Sequence, residues 1–135
     1  PQAVRVNERI SVGSILQSKQ FDATLDMCAE YPRPFLSKKS SKQHRCMPMM
    51  DLIAPQAEQL SRAADELQQL YTVPNQQILV CCTLGFSRSV AVLITWMVRY
   101  QHCDSLESAI ELVRKVRPQM VLTRDLRDCI AKAIA

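Results

Sequence analysis

No stretch of this sequence approaches the roughly 18 apolar residues of a membrane span, and the N-terminus lacks the charged-then-apolar layout of a signal peptide. A soluble, cytoplasmic chain is expected. It begins with Pro1 rather than methionine, so membrane contact would come only through a flanking region of a longer protein. Aromatic residues make up 5% of the chain, and its densest basic run, "SKKSSK" at 37–42, has none interleaved. That argues against a single-strand-binding surface, and nucleic acid is not an expected partner. There is no internal repeat and no low-complexity tract. With 135 residues there is no room for a second domain beside a proper core, so residues 1–135 read as one domain, expected as a monomer. Glycine is scarce, with two residues, Gly13 and Gly85.

What is present is ordinary for a folded protein: 47% hydrophobic and 22% charged residues, with a net charge of +4 that mildly favours anionic ligands. The six cysteines, Cys28, Cys46, Cys81, Cys82, Cys103 and Cys129, show no paired spacing and sit mostly in apolar runs. Reduced thiols in a reducing compartment follow. His44 with Cys46 and His102 with Cys103 are the nearest approach to a metal set, but neither pair has zinc-ligand spacing. No metal or cofactor is expected.

The first third reads as short strands at 9–13, 21–28 and 44–49, separated by "EYPRP" and the polar "SKKSSKQ" loop. From Pro55 the period changes. Ala57, Leu60, Ala64, Leu67 and Tyr71 recur every three to four residues and describe an amphipathic helix. "ILVCC" at 78–82 is a continuous apolar run of strand length, the pattern of a central strand covered on both faces. "SVAVLITWMV" is apolar all round, as in a buried helix, with Trp96 and Met97 in the core. Asp104, with Glu107 reaching back, is the expected cap of the next helix, whose core stripe is Leu106, Ala109, Ile110, Val113 and Val116. A last helix over 123–134 buries Leu126, Ile130 and Ile134. Such an order gives an α/β domain with a central mixed, mostly parallel sheet flanked by helices.

Ligands of such sheets bind beyond the carboxyl ends of the strands, where "CTLGFSR" joins a central strand to a helix N-terminus. A loop curled there points the backbone N–H groups of Thr83, Leu84, Gly85, Phe86, Ser87 and Arg88 at a bound anion, and the helix dipole adds positive potential. Gly85 is explained by that curl, which demands positive φ or close approach of the anion. Arg88 adds a planar fork of donors matched to two phosphate oxygens. The same field favours the thiolate of Cys82. One loop thus holds a phosphate and aims a nucleophile at its phosphorus.

Cys82-x-x-Gly85-x-x-Arg88-Ser89 after an apolar strand resembles the signature loop of the cysteine-based protein tyrosine phosphatases. "SVGS", "PMMD", the apolar helix after the loop and "SAIELVRKVRP" are similar to the compact dual-specificity branch. "LDMCAEYPRP", "CCTLGFSRS" and "RPQMVL" look closest to its bacterial members, some of which are fused to membrane phosphatase modules. The resemblance implies a two-step mechanism without cofactor: Cys82 forms a phosphocysteine, Arg88 and the loop amides hold the equatorial oxygens, and Ser89 helps the sulfur leave. It also implies Asp51, in "PMMDLIAP", as the general acid. Read alone, Asp51 merely starts a helix.

The substrate is then a phosphorylated protein or small phosphomonoester: phosphotyrosine, with phosphoserine or phosphothreonine also open. No lysine or second arginine lies between Cys82 and Arg88, unlike inositol-lipid phosphatases with related loops, although a lipid monophosphate stays open. A phosphate-binding pseudophosphatase of negligible turnover is the alternative. Cys81 motivates it, standing where the family commonly has histidine. Next to Cys82 in a strand, Cys81 points the other way, either as a small buried hydrophobe or, with Cys46, as a thiol that captures oxidised Cys82. Glu30 is a candidate to orient Arg88 but reads more simply as a surface charge. Asp65 reads as solvated, and His44 and His102 as ordinary surface or satisfied residues with no partner evident in the sequence.

Overall fold

The computed structural model describes residues 3–28, 43–49, 56–83 and 86–135. Five strands form one sheet: β1 (Val4–Arg5), β2 (Ile10–Ser14), β3 (Ala23–Asp26), β4 (Gln43–Cys46) and β5 (Ile78–Cys82). Their spatial order is β1-β2-β5-β3-β4, with β1 antiparallel to β2 and every other pairing parallel. The expected mixed, mostly parallel sheet is therefore present. β5 is central, with Cys81 beside Gly13 on one side and Asp26 on the other.

Strand alternation divides the buried side chains between two faces. Ile10, Val12, Ala23, Leu25, Met27, Ile78, Val80 and Cys82 join the main core. There they meet four helices: α1 (Ala57–Tyr71), α2 (Arg88–Arg99), α3 (Leu106–Val116) and α4 (Arg124–Ile134). α1 presents Leu60, Ala63, Ala64, Leu67 and Leu70 to this core, as its period requires, and truncating Leu67 to alanine should cost about 2–5 kcal/mol. α2 is buried from Arg88 through Met97, the outcome expected of a helix apolar all round. The rear face holds a smaller cluster of Ile15, Cys28, Leu79 and Cys81, to which a 3-10 helix (Ile15–Gln20) contributes Ile15.

Several local expectations are corrected. Neither β1 nor the 3-10 helix was anticipated, since two residues and six residues carry too little periodicity to read. α3 is capped by Ser105, whose Oγ accepts from the Ser108 N–H at 3.1 Å, in place of Asp104 and Glu107. The capping box is satisfied one residue later because Ser108 can answer Ser105 reciprocally. Ile134 is only half-buried, at the last turn of α4. Asp65 is more than a solvated charge, accepting from Tyr100 Oη at 2.6 Å and pairing with Arg99 at 3.1 Å.

Gly13 sits where the N-terminal segment crosses the sheet. A Cβ there would lie 2.6 Å from Gln17 Oε1 and 2.9 Å from Ala3 Cα, so the close approach of backbone leaves room for glycine alone.

Candidate active site

Cys82 closes β5 and is 3% exposed. Its Sγ lies 3.3 Å from Oγ of Ser89, in the first turn of α2. The strand-to-helix connection is short enough that the strand's last residue meets the helix's first buried hydroxyl. A serine hydroxyl so placed can donate to a sulfur anion.

Arg88 opens α2 and is nearly as buried, at 4% exposure. Nη1 donates to the Met49 carbonyl at 2.9 Å and, at longer range, to that of Met27 at 3.5 Å; Nη2 donates to Thr83 Oγ1 at 3.1 Å. Those carbonyls follow β3 and β4, so the guanidinium is anchored at the carboxyl ends of three strands. A buried cation demands such partners, and holding both terminal nitrogens fixes the fork. Neutral oxygens do this work among the described residues. Glu30, the acidic candidate for it, lies outside the described residues, as do Asp51, Leu84 and Gly85. Thr83, Phe86 and Ser87 are half-buried around the start of the helix.

Sequence reasoning missed Arg117. It is 2% exposed, donates from Nη2 to the Val12 carbonyl at 2.9 Å, and holds its guanidinium 5.3 Å from the Phe86 ring centre. Burial pushes its pKa down, and the nearby Cys82 sulfur pushes it back up. Two residues beyond Pro118 and Gln119, the chain turns back, and Val121 N–H donates to the Phe86 carbonyl at 2.7 Å. The segment after α3 thus buttresses the loop from behind. In "RKVRP" the period alone does not say which basic residue turns inward, so the signal was weak.

On the rear face, Cys81 is fully buried, and its thiol pKa is raised well above the ordinary range. Burial is the main cause, followed by the charge of Asp26, with Cys28, Cys82 and Cys46 adding to it. Cys81 and Cys46 belong to the rear cluster and Cys82 to the main core, so capture of oxidised Cys82 by either is opposed by the sheet itself. The cysteine that does approach the loop is Cys28, with Sγ 3.7 Å from Thr83 Oγ1. No disulfide occurs among the described cysteines.

The two histidines both have partners, which come from elsewhere in the chain. His44 Nε2 lies 2.8 Å from Asp26 Oδ2. His102 stacks on Trp96 with ring centres 4.0 Å apart, and desolvation lowers its pKa. His102 and Cys103 follow α2 on the main-core side, so they do not join His44 and Cys46 in a metal set.

Residues 5–132 match the family described as dual specificity phosphatase, catalytic domain. No curated protein matches the chain in sequence. Among solved structures, Tk-PTP in its active form superposes with a TM-score of 0.81 at 21% identity, covering 99% of this chain and 97% of that one. Human DUSP28 gives 0.80 at 20% identity, covering 98% and 93%. PTPMT1 in complex with PI(5)P gives 0.80 at 14% identity, covering 99% and 95%. At these identities the likeness establishes the fold.

Proposed function

This chain belongs to the family of dual specificity phosphatase catalytic domains, and on that premise we propose that it hydrolyses phosphomonoesters, phosphotyrosine first, through a phosphocysteine on Cys82. The observation that carries the reading is the pairing of Cys82 Sγ with Ser89 Oγ at 3.3 Å beside a guanidinium braced by Thr83 and two strand-end carbonyls.

In the first step the Cys82 thiolate attacks phosphorus and the P–O bond to the leaving group breaks. Asp51 gives that oxygen its proton. Arg88 and the amides of residues 83–88 stabilise the charge on the three equatorial oxygens as it redistributes. In the second step water attacks the phosphocysteine, Asp51 as carboxylate takes the water's proton, and the sulfur leaves as an anion with a hydrogen bond from Ser89. Support for the acid comes from Met49, two residues before Asp51, whose carbonyl is tied to the Arg88 guanidinium. The proposed setting is a bacterial cytoplasm, where the thiols stay reduced, and the proposed form is a monomer.

The test is a panel of phosphotyrosine peptides, phosphothreonine peptides and lipid monophosphates, assayed with the wild type and Asp51→Asn without added metal. Aryl phosphate turnover that falls about 10²-fold or more with Asp51→Asn is expected. A preference for the lipid arm would instead favour the phosphoinositide reading, which the likeness to a PI(5)P complex keeps in view. Phosphate binding without turnover in any arm would mark a pseudophosphatase.

A further inference from the structure

Behind the strand that carries Cys82, three side chains of metal-binding type converge on the rear face of the sheet. His44 and Cys46 stand two residues apart on β4 and therefore share a face. Asp26 is the register partner of Cys46 on β3 and is fully buried. From Asp26 Oδ2 to His44 Nε2 is 2.8 Å and to Cys46 Sγ 3.8 Å, and one ligand atom from each residue lies within 4.8 Å of the other two. Tetrahedral zinc, with bonds of about 2.0 Å to nitrogen and oxygen and 2.3 Å to sulfur, wants ligand atoms roughly 3.3–3.7 Å apart. Opening imidazole from carboxylate by about half an ångström and drawing the Cys46 sulfur inward would bring the three ligand atoms to that spacing.

The surroundings favour a cation. Asp26 Oδ1 accepts from the Cys28 N–H at 2.8 Å, which fixes the carboxylate with Oδ2 turned toward His44 and Cys46. The Cys81 thiol lies 4.0 Å from Oδ1, on the side of the carboxylate away from His44 and Cys46. Of the two ring nitrogens of His44 it is Nε2 that faces the carboxylate, while Nδ1 is buried without a hydrogen-bond partner. Access exists on the His44 side, where 12% of the side chain is exposed.

We propose that Asp26, His44 and Cys46 form a transition-metal site for Zn²⁺, with water in the fourth position. The mixed oxygen, nitrogen and sulfur donors suit zinc and disfavour magnesium or calcium, which take oxygen. Binding releases the Cys46 thiol proton and forms a Zn–S bond that ties β4 to β3. Cys81 stays outside the coordination sphere.

The test uses the full chain carrying Cys82→Ser, so that the nucleophilic thiol does not compete. Titration with Co²⁺ should give a thiolate-to-cobalt charge-transfer band at one equivalent, displaced by Zn²⁺, and Zn²⁺ should raise the melting temperature. Adding His44→Gln or Cys46→Ser should weaken Zn²⁺ at least about tenfold, while Cys81→Ser or Cys103→Ser changes it less than about threefold. Far-ultraviolet circular dichroism establishes that each variant is folded. A parent with no thiolate band and no thermal shift overturns the site, as do folded His44→Gln and Cys46→Ser variants that bind as tightly as the parent.

Discussion

Cys81 and Cys82 are neighbours in one strand and opposites in chemistry. Cys82 faces the helices and meets Ser89 at the start of α2, where hydroxyl, peptide dipoles and a braced arginine gather at the carboxyl end of the sheet. Cys81 faces the rear, 4.0 Å from a buried carboxylate, with further thiols nearby that push the same way. Residue type, backbone and burial are nearly matched. What differs is the company on each side of the pleat: a serine hydroxyl and a helix start for Cys82, a buried carboxylate and further thiols for Cys81.

The sharpest way to break this contrast is to swap serine into each position. Cys82→Ser should lower aryl phosphate turnover by at least about 10⁴-fold, because the proposed covalent intermediate forms on that sulfur, while Cys81→Ser stays within about threefold of wild type. Comparable losses from both would mean that the rear thiol takes part in the chemistry.

Next in size are the residues that distinguish the front face. Arg88→Ala should cost about 10²–10³-fold in kcat, as loss of a transition-state donor does. Ser89→Ala should cost about tenfold and shift the slow step to phosphocysteine hydrolysis, seen as a burst of released phenol before the steady state. A Ser89→Ala enzyme with normal kcat and no burst would leave the 3.3 Å contact without a catalytic role.

The smallest effect belongs to the rear face. Because the folded state holds the Cys81 proton more tightly than the unfolded chain, the folded state binds the extra proton above the ordinary thiol pKa of about 8.5. Stability from this source is therefore complete below that pH and declines as pH rises toward the folded value. Urea unfolding at pH 7.5 and pH 10 should show a loss that Cys81→Ala reduces. An unchanged alkaline loss in that variant would place its origin elsewhere.

Much of the site was legible because its parts are close in sequence. Cys82, Thr83, Phe86, Ser87, Arg88 and Ser89 belong to one strand-loop-helix turn, and the apolar run before it and the buried helix after it were readable from pattern. Arg117 and the Asp26–His44 pair were not. They come from segments far apart in the chain, and an arginine before a proline or a histidine in a short strand carries no mark of its partner. The same limit explains Ser105 displacing Asp104 as a cap, where adjacent capping residues compete and only the path of the preceding turn decides.

The sequence by itself determined the order of elements, the apolar faces of the helices and the loop chemistry, since each depends on spacing over a few residues. Only the tertiary structure decided which side chains share each face of the sheet. That depends on which strands lie side by side and in what register, and such long-range pairing is governed by the packing of the whole chain rather than by any local stretch.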